Sequence, residues 1–255
     1  MSFDASAGFL FGFFVTVFIA AGLLVGRLVL GRGGSRRSRW FFALAVGLTT
    51  LGLVRVLLYH KGIIAAEPKW YFLPVWFSLA FGPAVFYATK FRLFPAYRLR
   101  MTDVKHGLFP LIQVLFFVWF LFVSDRAKAD VFQTYVLGRY KFVEALLFLI
   151  SWFTYLVLAY RYVAYRIAMA RRFQKTAELA QYRRWSRMIK FLFAVGVINT
   201  TFIAADFTAY NFFNANLYDL VGFRFWSDLS YALLPMVLIY FGWRGAFPKQ
   251  TKFTG

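Results

Sequence analysis

The chain has 255 residues, 61% of them hydrophobic and 23% aromatic, and a formal net charge of +20. A soluble domain of this length could not hide that much apolar surface. Such a charge raises nucleic acid as a partner. Here, however, the basic residues sit between long Phe-, Leu- and Val-rich runs, which excludes a nucleic-acid domain and fits a polytopic membrane protein.

Seven apolar runs are long enough to cross the hydrocarbon layer as helices, at about 8–31, 40–60, 70–90, 107–124, 142–165, 189–210 and 226–243. Backbone polar groups cannot stay unpaired in lipid and no period-two alternation occurs, so the expected class is all-α. The whole chain, 1–255, reads as one seven-helix transmembrane domain. The first run follows MSFDASAG, without a basic n-region or an obvious small-residue cleavage site, and reads as a retained span. The second carries Arg55 and ends near His60. The third contains Pro74 and Pro83, each expected to kink it. Gln113 lies in the fourth, and Glu144 opens the fifth. The stretch 166–188 is expected to extend the fifth as an amphipathic cytoplasmic helix. The sixth carries Asn199, Thr200, Thr201, Asp206 and Thr208; the seventh carries Asp228 and Pro235.

The loops set direction. Arg27, Arg32, Arg36, Arg37 and Arg39 follow or flank the end of span one. Lys90, Arg92, Arg98, Arg100 and Lys105 follow span three. Arg161, Arg166, Arg171, Arg172, Lys175, Arg183, Arg184, Arg187 and Lys190 follow span five, and Arg244, Lys249 and Lys252 follow span seven. These are 22 of the 30 basic residues, accompanied only by Asp103 and Glu178. The positive-inside rule then predicts an outer N-terminus and a cytoplasmic C-terminus. The basic face suits anionic lipid head groups of the bilayer. Arg171, Arg172, Lys175, Arg183 and Arg184 are also a candidate surface for a partner protein. Trp70, Trp76, Tyr155, Trp185, Trp226 and Trp243 fall near span ends and read as interfacial anchors.

An ionisable group inside a span is costly unless paired or wet. Span direction puts Arg55, Glu144, Asp206 and Asp228 together in the outer third. One arginine among three carboxylates allows a structural ion pair, an outward-facing cup for a small ligand, or part of an ion path. Against a path, the inner halves of spans five to seven carry no ionisable residue away from their basic ends. Asn199 and Thr200, nearer mid-membrane, are candidates for helix–helix hydrogen bonds or ligand contact.

Catalytic signals are missing. His60 and His106 sit at opposite span ends, and no zinc-protease, Walker or nucleophile-elbow pattern occurs. Span seven has no lysine for a retinal Schiff base, and cysteine is absent, which excludes disulfides and thiolate metal sites. The chain reads as a non-enzyme without a cofactor.

The stretch WFSLAFGPAVFYATKFRLFPAYRLRMTDVKHGLFPLI resembles the GP-x-x-Y-x-Y-x-K … H-x-x-P segment in the membrane part of some bacterial AraC-type and histidine-kinase regulators. The matching residues are Gly82, Pro83, Phe86, Tyr87, Lys90, His106 and Pro110. YRRWSRMIK (182–190) is similar to the entry to their sixth span, and YFGWRGAFPKQTKF (240–253) to the exit from their seventh. The resemblance implies a seven-helix sensor region in the bacterial inner membrane, and it carries over no catalytic residue. The chain departs from the family pattern by ending soon after span seven, which suggests signalling through a separate partner. The other expectations are an accessory subunit of a membrane complex and a small transporter.

Overall fold

The computed structural model describes residues 2–31, 35–134, 141–213 and 215–244. Arg32, Lys249, Lys252 and the 240–253 ending beyond Arg244 lie outside the described residues. The fold is all-α, and no strand occurs among the described residues. The helices are α1 (Ser2–Leu30), α2 (Arg36–His60), α3 (Ile63–Ala66), α4 (Ser78–Leu93), α5 (Lys105–Leu121), α6 (Asp125–Val131), α7 (Lys141–Arg172), α8 (Thr176–Phe213) and α9 (Val221–Trp243). Five of these, α1, α2, α7, α8 and α9, are long and apolar enough to cross a membrane. The apolar helices α4 and α5 have 16 and 17 residues. At 1.5 Å per residue they rise only about 24 and 26 Å.

Neighbouring long helices alternate in direction. Ser38 at the start of α2 donates to the Ala88 carbonyl near the end of α4 at 2.6 Å. In the α7–α8 pair, Arg166 meets Tyr182 at 3.0 Å at one end, and Phe142 meets Phe207 at a centroid distance of 4.9 Å at the other. Phe191 with Phe241 and Phe202 with Phe223 give α8 and α9 the same antiparallel order. One end of the bundle thereby collects most of the arginines and lysines. This basic end is opposite the turns at Lys61–Gly62 and residues 122–124.

The run expected to be one span at 70–90 is divided. Pro68–Phe72 form a 3-10 turn, residues 73–77 are irregular, and α4 starts at Ser78. Pro74 thus precedes a helix instead of kinking one, and Leu73 before it takes the extended conformation that a following proline favours (φ −58, ψ 136). Pro83 does lie inside α4. It leaves the Leu79 carbonyl without its helical donor, and Ser151 Oγ on α7 approaches that oxygen at 3.5 Å.

The expected continuous helix at 166–188 is a hairpin. α7 ends at Arg172 and α8 starts at Thr176. Gln174 takes the left-handed conformation (φ 53), Lys175 N–H bonds Ala170 C=O at 2.9 Å, and Gln174 N–H bonds Arg171 C=O at 3.2 Å. That is a Schellman ending, built on glutamine where glycine is usual. Ala170 and Tyr182 beside the hairpin still belong to the main core, while Arg171, Arg172, Lys175, Arg183 and Arg184 are exposed around it.

Short α4 is the centre of the fold. It packs on α2, α7 and α5, and Phe81, Val85, Phe86, Ala88 and Phe91 are buried in the main core with Phe42, Trp152 and Trp185. A helix surrounded by other helices need not match the bilayer by itself. Trp185, expected as an interfacial anchor, is 1% exposed and stacks edge-on against Phe42 at 5.9 Å. Its apolar ring fills the space between α2 and α8. By contrast, α5 leaves Phe109, Ile112, Leu115, Trp119 and other large apolar side chains exposed, as does the outer face of α1. Such faces suit hydrocarbon rather than water.

Glycine allows the closest helix approaches. A Cβ on Gly82 would lie 3.1 Å from the Ser151 carbonyl oxygen of α7. At Gly196 of α8 it would lie 2.6 Å from Trp152 Nε1 and 2.9 Å from Cδ1, and Trp152 is fully buried. Packing, not a solvophobic force, holds helices together where lipid replaces water, so these contacts matter more than their size suggests. Gly196→Ala therefore forces the α7–α8 seam apart and lowers stability by about 1–3 kcal/mol, read as a lower midpoint of thermal unfolding in detergent. An unchanged midpoint would contradict the packing.

Candidate functional site

Arg55, inside the apolar helix α2, marks the first polar cluster, at the end opposite the basic one. Arg55 projects from α2 and is 8% exposed. Its Nη2 lies 3.5 Å from Glu144 Oε2 on α7. Three aromatic rings surround the guanidinium: Tyr71 at 4.1 Å, Trp76 at 5.2 Å and Tyr59 at 5.9 Å. A buried cation costs several kcal/mol unless it is neutralised, and desolvated cation–π contacts return about 2 kcal/mol each. Trp76, expected as an interfacial anchor, forms one wall of this cage.

Glu144 is held from the other side. Tyr71 O–H donates to its Oε2 at 3.2 Å, and Gln113 Nε2 on α5 donates to its Oε1 at 3.0 Å. Gln113 also caps α4. Its Oε1 accepts the Leu79 N–H at 3.0 Å, and its Nε2 reaches Ser78 Oγ at 3.1 Å. α4 has no side-chain N-cap of its own, since the cap position is Phe77. One glutamine from a neighbouring helix therefore satisfies an orphan backbone donor and fixes the carboxylate. Arg55 Nη1 is buried and has no hydrogen-bond partner among the described residues.

The expected arrangement of one arginine among three carboxylates is in fact two pairs. Asp228 on α9 meets His60 at the end of α2, with Nδ1 to Oδ2 at 2.9 Å. Asp206 is buried in α8 and lies within electrostatic reach of Tyr218. Burial pushes the Tyr218 hydroxyl well above the ordinary phenol range, and the Asp206 and Asp228 carboxylates push it the same way. That hydroxyl is 2.9 Å from Ser227 Oγ. The Tyr231 ring on α9 is edge-on to Trp76 at 5.7 Å. Arg55, Glu144, Asp228 and Asp206 thus share one polar layer, but Arg55 pairs only with Glu144 among the three acids.

Asn199 and Thr200 lie outside that layer. Asn199 is 1% exposed, and its Nδ2 reaches the Val195 and Ser230 carbonyls at 3.0 and 3.4 Å. Ser230 Oγ donates to Asn199 Oδ1 at 3.0 Å, so this pair ties α8 to α9. Thr200 is turned about 100° away on the same helix and bonds its own Gly196 carbonyl at 2.8 Å. It borders a shallow outward groove with Phe153, Thr201 and Thr208. Arg171, Arg172, Lys175, Arg183 and Arg184 are all exposed around the α7–α8 hairpin, where Lys175 meets Glu178 at 3.4 Å.

A second polar cluster, at the basic end, joins Tyr87 and Lys90 of α4 to Tyr97, Asp103 and His106. Lys90 lies 3.4 Å from Asp103 Oδ1 and 3.8 Å from the Tyr97 ring centroid. Asp103 Oδ2 accepts from Tyr97 O–H at 2.6 Å and from Arg100 N–H at 2.8 Å. Tyr87 O–H donates to the Asp103 carbonyl at 3.3 Å. His106 Nδ1 is 2.8 Å from Tyr155 O–H, and Phe86 packs against both rings. Tyr155 is therefore a hydrogen-bond partner within the bundle as well as a residue near a helix end. Burial alone would raise the Asp103 carboxyl. Tyr97, the Arg100 N–H and Lys90 outweigh it and hold the group well below the ordinary carboxylate range.

Sequence patterns had not pointed to Asp103, Tyr97, Tyr71, Tyr218 or the His60–Asp228 contact. The one available signal was that Asp103 is among only two acids in the basic loops.

Two consequences are measurable. In a double-mutant cycle, Arg55→Met and Glu144→Gln couple by about 0.5–3 kcal/mol in stability, whereas Arg55→Met and Asp228→Asn are close to additive. No coupling in the first pair would remove the buried ion pair. Asp103 also links stability to pH. Its folded-state affinity for protons is depressed, so its stabilisation is complete above about pH 5 and is lost as pH falls through about 4 and below. Acid titration of the melting midpoint should show a steeper fall for the wild type than for Asp103→Asn; parallel curves would contradict the network.

No protein-family model matches the chain, and neither a curated protein nor a solved structure matches it.

Proposed function

We propose that the chain is a seven-span module of a bacterial cytoplasmic membrane that senses a small molecule from the outer side. In this reading α4 and α5 join the five longer helices as crossings, with their flanking segments making up the length. The N-terminus is outside and the basic end faces the cytoplasm. The observation that carries the reading is the Arg55 layer. It holds a buried guanidinium with an unpartnered Nη1, walled by aromatic rings and set at the end that the charge bias places outside. A ligand bearing a carboxylate or another strong acceptor fits that donor. The basic α7–α8 hairpin, with Arg171, Arg172, Lys175, Arg183 and Arg184, is the surface on which a cytoplasmic partner would read the signal. The resemblance of the α4–α5 region to sensor regions of bacterial regulators agrees with this reading. No residue is assigned a catalytic role.

The absence of cysteine makes the topology directly testable. Single replacements Arg126→Cys, Arg98→Cys and Arg183→Cys are introduced into intact cells. An impermeant maleimide should label position 126 only, and positions 98 and 183 only after permeabilisation; the reverse pattern would overturn the orientation. For ligand sensing, small carboxylates are screened by thermal shift on purified protein. A stabilising compound should lose its effect with Arg55→Met. If compounds act equally on that variant, the Arg55 layer is not the site. Stable co-purification with other membrane chains and no ligand response would favour an accessory subunit.

A further inference from the structure

We propose that the groove between α8 and α9 at the basic end holds a single anionic phospholipid. The inference rests on the chain's residing in a membrane, but not on its orientation. The groove has a volume of about 760 Å³, within the range of about 300–1,000 Å³ usual for ligand pockets. Its walls run from Arg184 to Val195 on α8 and from Leu233 to Arg244 on α9. Each wall is eleven residues of rise, about 16 Å, close to half of a hydrocarbon core of about 30 Å. The groove therefore spans the depth of one leaflet.

Its polarity runs along that depth. Arg184, Arg187 and Arg244 stand at the mouth, and the deeper walls are Phe191, Val195 and Leu233 with their apolar neighbours. Among the described residues none of the three arginines has an ion-pair partner. Three unneutralised guanidinium groups at the head of an apolar channel of leaflet length complement a phosphate head group above an acyl chain. A zwitterionic lipid offers the same phosphate but also a cation that these arginines repel. A partner helix would need small, apolar contacts at the mouth rather than three charges. The charge pattern thus selects the anionic lipid.

The test uses the full chain in nanodiscs of phosphatidylcholine alone or mixed with phosphatidylglycerol, followed by detergent release and native mass spectrometry. One phosphatidylglycerol should stay bound and raise the melting midpoint. Arg184→Gln/Arg187→Gln/Arg244→Gln should weaken its retention on the order of a hundredfold, because each cation near an anionic lipid contributes a factor of about five. Leu233→Trp, which fills the deep groove without changing charge, should also abolish retention. Helicity by circular dichroism and elution as a single species separate these effects from misfolding. A triple Arg→Gln control at Arg36, Arg98 and Arg161 should leave retention unchanged. Equal retention of phosphatidylcholine, equal loss in the control, full competition by soluble glycerophosphate, or a polypeptide in place of lipid would each overturn the proposal. Failure of the wild-type chain to enter nanodiscs would instead overturn the membrane reading beneath it.

Discussion

A guanidinium removed from water must be neutralised and hydrogen-bonded by its neighbours, and Arg55 imposes that demand on half of the bundle. Glu144 comes from α7, Gln113 from α5, Tyr71 from the 3-10 turn before α4, and Tyr59 from α2 itself. Each responds to a need of its own. The carboxylate needs donors, Gln113 supplies one, and the same amide caps the start of α4. Removing either charge leaves the other buried, so the elements around the pair are fixed in position together. The same logic recurs at smaller scale in Lys90 with Asp103.

The apolar packing serves this polar frame. α4 is short, brings Gly82 against the Ser151 carbonyl and Tyr155 of α7 while Phe81 and Phe86 pack on α7 aromatics, and is interrupted by Pro83. The Leu79 carbonyl that Pro83 leaves open meets Ser151 on α7, and the Leu79 N–H meets Gln113 on α5. One residue near the head of the central helix therefore ties it to two neighbouring helices through its own N–H and C=O. Lipid offers no alternative partner to such groups, so these contacts are more specific than the surrounding phenylalanine packing.

The two ends of the bundle are chemically distinct. One holds a neutralised, aromatic-walled polar layer with one open donor. The other holds exposed arginines around the α7–α8 hairpin and along the mouth of the α8–α9 groove. The proposed ligand and lipid contacts use different ends, whereas Arg184 is common to the lipid-groove mouth and the hairpin surface proposed for a partner.

Much of this was legible in the chain before folding. Apolar runs of sufficient length required helices, because an unpaired backbone is too costly in lipid. The separation of arginines from acids required a two-ended molecule, and helix direction required Arg55, Glu144, Asp206 and Asp228 to lie at one end. What the tertiary structure decided was partnership. Spacing along a helix limits depth but leaves the facing helix open, so only packing could give Glu144 to Arg55 and His60 to Asp228. Only packing could bury Trp185 while leaving Trp119 exposed, although both are tryptophans near apolar runs. The break at Gln174 and the delayed start of α4 were hidden for a related reason. No glycine or proline marks the break at Gln174, and although Pro74 interrupts the run before α4, the start at Ser78 is set by the cap that Gln113 supplies from a neighbouring helix.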